Sequence, residues 1–135
     1  MNKQIIELLL GAAGVVKLMH LKTKGYNHLV LGGLYDSLAD GADKIAELIQ
    51  GYDGLLDLQI PQATYQEPVQ YLTSLREQVV SLNEQLPYSD VQNEVEAIIG
   101  SISHGLYKFD DSSVSSPAPQ GGQAPAGGQE VVPVQ

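Results

Sequence analysis

The stretch Val15-Val-Lys-Leu-Met-His20-Leu-Lys-Thr-Lys-Gly25-Tyr-Asn-His28-Leu-Val-Leu31 decides the fold, because one helix-periodic segment ends in it and another begins. Apolar residues recur at spacings of three and four on both sides of it, from Ile5 to Met19 and from Leu31 to Ile49. Gly25, between the two segments, is the expected C-terminal stop of the first helix. The stretch therefore predicts a helical hairpin, with helices over residues 3–22 and 26–51.

Two more helices are predicted after a connector that contains Ile60-Pro61, because proline removes a helical donor and restricts the residue before it. A leucine and valine stripe predicts the third helix over residues 68–86, with Pro68 in its first turn. Ser89-Asp-Val-Gln92 has the pattern of a capping box and predicts that a fourth helix covers residues 89–109. Two antiparallel hairpins joined by a longer connector predict an all-α, antiparallel four-helix bundle.

Composition limits both the domain organisation and the chemistry. The chain of 135 residues divides into a predicted bundle, residues 1–109, and a tail, residues 110–135, that is rich in Pro, Gly, Gln and Ser. Such a composition buries too little apolar surface to offset the entropy of ordering, so the tail is predicted to be disordered. Its last segment, Glu130-Val-Val-Pro-Val-Gln135, is a candidate docking peptide for a protein partner.

The absence of several residue types and motifs excludes whole classes of function. The chain has no cysteine, which excludes disulfides, thiolate zinc sites and cysteine nucleophiles. A hydrolase or transferase has little support, because there is no glycine-rich phosphate loop, nucleophile elbow or HExxH motif.

The net charge of −9, from 16 acidic and 7 basic residues, makes nucleic-acid binding an unfavoured interpretation, because the chain repels phosphate backbones. An acidic surface attracts metal ions or basic partners instead. Residues 5–21 are apolar over 17 positions, the lower limit for a membrane span, and Glu7 and Lys17 interrupt them. We expect a buried core helix, no membrane association and a cytoplasmic location.

Four carboxylates lie on one stripe of the second helix. At a helical turn angle of about 100° per residue, they occupy an arc of roughly 60° on the side opposite the apolar core positions. The ordinary interpretation is a solvent-facing charged surface. Two features favour a bound cation and a second chain instead: like charges at i,i+4 destabilise a helix unless a cation relieves them, and small residues crowd the same helix. The carboxylates are Asp36, Asp40, Asp43 and Glu47, and the small residues are Gly32, Gly33, Ala39 and Gly41.

Two histidines flank the turn before this stripe. His20 lies at the end of the first helix and His28 at the start of the second. Carboxylates together with imidazoles are a ligand set that suits iron, manganese or zinc. His104, in the fourth helix, lacks the Glu-x-x-His spacing of a di-iron bundle and is expected to be structural.

The pattern of His20, Gly25, Asp36 and Asp43-x-x-x-Glu47 resembles the ferroxidase segment of the Dps-type mini-ferritins. Tyr26-Asn-His28 and Leu34-Tyr35-Asp36, with later segments up to residue 109, look like a family of uncharacterised ferritin-like proteins, many of which bacteriophages carry. The resemblance implies a ferritin-like bundle that forms a homo-oligomer, a dimer or higher, in the cytoplasm of a bacterial host. It also implies that Fe(II) is bound and oxidised by ferroxidase activity between subunits, with His20, His28, Asp36, Asp43 and Glu47 as metal ligands.

The sequence also departs from the Dps pattern. Gly32 stands where Dps proteins carry a histidine, and His28 comes one helical turn earlier. No lysine-rich N-terminal arm is present, so the DNA-condensing role of Dps proteins is not expected. The alternative hypothesis is therefore a non-enzymatic, oligomeric helical-bundle protein that acts through its acidic face or its C-terminal tail.

Overall fold

The computed structural model describes residues 2–110, and the tail predicted to be disordered lies, apart from Asp110, outside the described residues. Four α-helices make up the described part of the chain, which contains no strand, and the predicted all-α class is confirmed. Each helix begins and ends within two residues of its predicted bounds. The helices are α1 (Lys3–Leu21), α2 (Gly25–Asp53), α3 (Pro68–Glu84) and α4 (Ser89–Lys108).

The connector between α2 and α3, residues 54–67, follows the whole length of α1. Near the start of α1, the Lys3 ammonium donates to the Asp57 carbonyl over 3.0 Å. At the other end of α1, the Lys22 ammonium lies 5.5 Å from the centre of the Tyr65 ring. The connector therefore runs parallel to α1, and α3 begins at the end of the bundle where α1 finishes.

Two glycines of α1 allow the connector to lie directly on the helix. A Cβ atom added at Gly11 would be 3.2 Å from Cγ of Pro61, and one added at Gly14 would be 3.0 Å from Cβ of Ala63. Larger side chains at these positions would push the connector away from α1. The sequence predicted the connector, but not that it packs along a helix.

The helices α2 and α4 are antiparallel neighbours. Leu34, early in α2, contacts Gly105, late in α4, and the Tyr52 hydroxyl at the end of α2 donates to Asp90 at the start of α4 over 2.9 Å. Together with the connector, this gives an up-down-down-up bundle with one long crossover. That connectivity is the one that ferritin-like folds have.

The core consists of aliphatic side chains from all four helices, as the lack of Trp and the single Phe require. The length and composition of α1 are sufficient for a membrane span. The core helix of a soluble protein passes the same test. Its side chains Ile6, Leu9 and Val16 are completely buried among the other helices. One side of α1 therefore forms part of the core.

Two predicted helix signals were wrong in detail. Gly25 does not stop α1, which ends at Leu21, but is the first residue of α2, with a left-handed φ of +68° that reverses the chain. Ser89 is not an N-cap, because Tyr88 occupies that position and makes no side-chain cap bond. The Gln92 amide instead donates to the carbonyls of Asn83 and Leu86 and holds the α3–α4 turn together.

Candidate functional site

The two histidines at the α1–α2 turn form a stacked pair. Their ring centroids are 3.8 Å apart and the ring planes are inclined by 21°. Nδ1 of His20 is 2.7 Å from the carbonyl oxygen of His28, and Nδ1 of His28 is 2.8 Å from that of His20. Because a carbonyl can only accept, both Nδ1 atoms carry the hydrogen, and in a neutral ring Nε2 keeps its lone pair.

Gly32 forms the surface on which the His20 ring rests. A Cβ atom added at Gly32 would be 2.8 Å from Cε1 and 3.0 Å from Nδ1 of His20. A side chain at this position would therefore displace the stacked ring. Glycine at this position therefore leaves room for the stacked His20 ring.

The stacked arrangement restricts how the two histidines can bind a metal. The lone pair of Nε2 lies in the plane of its ring, and the two planes are nearly parallel. At this inclination they meet far beyond the coordination distance of about 2.0–2.1 Å for an imidazole nitrogen. In this arrangement the two histidines of one chain do not direct their Nε2 lone pairs at one ion.

The four carboxylates of α2, Asp36, Asp40, Asp43 and Glu47, are exposed, and the core positions Leu34, Leu38 and Ile45 are buried on the other side of the helix. We call these four residues the acidic stripe. Lys44, beside it, is 3.1 Å from Glu94 of α4 and so directs its charge away from the stripe. Within residues 2–110, none of the four carboxylates forms an ion pair. Their predicted outward orientation is observed.

One chain does not bring the predicted ligands together. In the described part of the chain, no group of three or more His, Asp or Glu side chains is arranged to hold a metal ion. The carboxylates and His20 lie on neighbouring helices, but any site with the predicted ligand set needs a second chain. His104, expected to be structural, is an exposed residue of α4.

A buried asparagine at the same end of the bundle was not predicted. Asn27 is only 1% exposed. Its side-chain amide donates to the carbonyl of Asp110 over 2.7 Å, and its side-chain oxygen accepts from the backbone N–H of Asp110 over 2.9 Å. This pair of bonds fixes the chain beyond α4 to the start of α2. Only its position within the polar Tyr-Asn-His segment could have drawn attention to it.

The structure also contains a groove between α2 and α4 that the sequence did not predict. It encloses a cavity of about 240 Å³. We call it the α2–α4 groove; the residues that line it include Leu29, Val30, Leu34, His104, Gly105 and Lys108. Leu29 is 72% exposed at its edge. The groove lies beside the N-terminal part of the acidic stripe, because Ser37, which follows Asp36, also lines it.

A second pair of stacked rings lies at the opposite end of the bundle. The Tyr52 and Tyr88 rings are 3.8 Å apart with an inclination of 5°, and their hydroxyls donate to Asp90 and Asp53 respectively. The bond from Tyr88 is the main cause that lowers the pKa of the Asp53 carboxyl. The cluster joins the end of α2 to the start of α4, and we interpret it as a contact that stabilises the bundle.

The four helices and the long crossover define the class of the described part of the chain, which is an all-α four-helix bundle. Residues 20–109 match a family of unknown function (DUF5856), and since the match covers two thirds of the chain, the chain belongs to that family. The matched region begins at His20 and includes the acidic stripe, the crossover, α3 and α4. No curated protein and no solved structure matches the chain.

Proposed function

We propose that the protein works as a homo-oligomer whose acidic stripe binds Fe(II) between two chains. The observation that supports this most directly is the stripe itself: four exposed carboxylates that no ion pair within residues 2–110 neutralises. Like charges at these spacings destabilise the helix. A divalent cation held between them offsets that repulsion, and oxygen ligands suit it.

The ligands we propose are Asp36, Asp43 and Glu47 of one chain and His20 of a second chain. His20 would bind through Nε2, because its Nδ1 donates to the His28 carbonyl. A hydrogen bond at the far ring nitrogen is how metal-binding histidines are commonly oriented. In this proposal His28 is a positioning residue.

Iron is the substrate that the Dps-like resemblance implies, with peroxide or dioxygen as oxidant, and manganese or zinc are alternative ions for the same carboxylates. The ferritin-like connectivity and the acidic net charge support the proposal but are compatible with other roles. The cytoplasm of a bacterial host is the location we propose.

The direct test is to mix the anaerobic protein with Fe(II), add peroxide and follow ferric absorbance. We expect wild type to oxidise iron faster than the Glu47→Ala variant. Glu96→Ala is the matched control, since Glu96 is an exposed carboxylate on α4 away from the stripe, and it should behave as wild type. Equal rates for wild type and Glu47→Ala would contradict iron oxidation at this face.

The second candidate is a non-enzymatic interaction protein that oligomerises and engages a partner through its acidic face or its tail. One chain forms no group of metal ligands in its described residues, which favours this candidate. It predicts an oligomeric solution mass without stoichiometric metal. It also predicts a melting temperature that does not respond to Fe(II), Mn(II) or Zn(II). Metal analysis together with solution mass separates the two candidates.

A further inference from the structure

We propose that the α2–α4 groove is the docking site for residues 130–134 (Glu-Val-Val-Pro-Val) of the same chain. The segment is the one apolar run in residues 111–135. The groove has aliphatic side chains on its α2 side and polar side chains, Ser101, His104 and Lys108, on its α4 side. The proposal does not depend on iron binding.

The chain leaves the bundle next to this groove. Phe109 is buried, and its backbone N–H donates to the Gly105 carbonyl, so the end of α4 is fixed. Asp110 is then held by Asn27, which lies two residues before Leu29 in α2. Asp110, the last described residue, is therefore held within about one helical turn of the groove edge.

The intervening residues are long enough to bring the segment back. Residues 111–129 consist mainly of Ser, Pro, Gly, Gln and Ala. A flexible chain of that length has a root-mean-square span of roughly 25 Å. The groove extends along α4 from Lys108 to Ser101, about 10 Å of helix. A tether of this kind gives an effective concentration in the millimolar range, so weak contacts suffice for docking.

The chemistry of the groove fits the segment. Leu29, which is 72% exposed, and the half-buried Val30 offer aliphatic surface on the α2 side of the groove for the valines and the proline. Lys108 lies at the rim, is exposed and forms no ion pair within residues 2–110. It can pair with the single carboxylate of the segment, Glu130.

The groove on the other side of the bundle is the competing docking surface and serves as the control. It lies between α1 and α3 and has a volume of about 550 Å³. Its lining contains Leu8 and Leu82 together with Ser74, Gln78 and Glu77, and the Glu77 carboxylate repels Glu130. It is also bordered by neither α2 nor α4, the helices to which the end of the described chain is fixed.

Paramagnetic relaxation in the full-length chain tests the proposal. The sequence has no cysteine, so Gln129→Cys gives a single attachment point for a spin label. We expect severalfold stronger broadening of the Gly33, Ser101 and His104 amide signals than of those of Ser74 and Gln78. Adding Val131→Ser and Val132→Ser to the labelled chain should remove the difference.

A mixing experiment identifies which chain supplies the segment. Spin-labelled, unenriched Gln129→Cys chains are added to ¹⁵N-enriched wild-type chains at the same total concentration. Docking within one chain predicts little broadening in the mixture. Clear broadening at the α2–α4 groove of the unlabelled, enriched chains in the mixture would overturn the proposal in favour of docking between chains. Equal broadening at both grooves, or broadening that the two serine substitutions leave unchanged, would overturn docking altogether.

Discussion

Gly32 and Gly33 are neighbours in α2 with opposite packing environments. A Cβ atom at Gly32 would meet the His20 ring, whereas one at Gly33 would have nothing within 4 Å. The same substitution at the two positions therefore separates packing against the histidine pair from helix propensity. We expect Gly32→Ala to lower the free energy of unfolding by about 1–3 kcal/mol, because the ring must leave its stacked position.

Gly33→Ala should instead raise the free energy of unfolding by up to about 1 kcal/mol, because alanine is the better helix former. Urea unfolding of the two variants and wild type provides the measurement. Changes of the same sign at both positions would show that His20 does not rest on Gly32 as described.

Tyr71 gives a prediction at alkaline pH. Burial raises the pKa of its hydroxyl from the ordinary value of 10.0 to about 12. The unfolded chain therefore ionises at lower pH than the folded one. The stability contributed by the neutral hydroxyl is complete below about pH 10 and is lost as pH rises through about 12.

Tyr71→Phe should accordingly flatten the decline in the free energy of unfolding across this alkaline range. The control is Tyr107→Phe, since Tyr107 is 87% exposed. Unfolding curves at a series of pH values test this, and identical slopes for wild type and Tyr71→Phe would contradict it.

At the scale of the elements, the close approach of α2 and α4 depends on Gly41. A Cβ atom added there would overlap Cδ1 of Ile98 and would be 2.8 Å from its Cγ1. We expect Gly41→Ala to cost about 1–3 kcal/mol of stability, as overpacking of a well-filled contact does. Gly100→Ala, at an exposed position with nothing within 4 Å, is the control and should not destabilise the bundle.

A double-mutant cycle locates the cause of that cost. Ile98→Val removes Cδ1, so Gly41→Ala should be less costly in the Ile98→Val background than in wild type. The difference is the coupling energy between the two positions, measured by chemical unfolding of the four proteins. A coupling energy of zero would mean that the two helices are not in contact there.

At the scale of the whole molecule, the acidic stripe predicts a link between metal binding and stability. Asp43→Asn removes one like-charge pair at i,i+4, with Glu47, and one at i,i+3, with Asp40. Without divalent cations and at low salt, we expect it to stabilise the fold by about 0.2–0.5 kcal/mol per pair.

Mn(II) should reverse this order. A cation that binds only the folded assembly stabilises it in proportion to the logarithm of its concentration over the dissociation constant. Wild type should therefore gain more in melting temperature than Asp43→Asn, and Glu96→Gln should respond as wild type does. An equal gain for all three proteins would place the metal elsewhere.

The sequence by itself determined the four helices, the core role of α1 and the outward direction of the acidic stripe. Each of these depends on residues that are close in sequence, because helical periodicity decides which side chains share a face. A Val or Leu stripe must be buried wherever the neighbouring helices lie. The bundle fold is observed, but the relationship to ferritin-like proteins that the sequence suggests stays a prediction.

Only the tertiary structure decided how distant residues meet. Asn27 holds Asp110, the connector lies along α1, and the His20 and His28 rings stack over Gly32. These contacts depend on how the helices pack and where the chain reverses, which periodicity does not encode. For the same reason the sequence predicted His20 and His28 as metal ligands without showing that the two rings of one chain stack on each other.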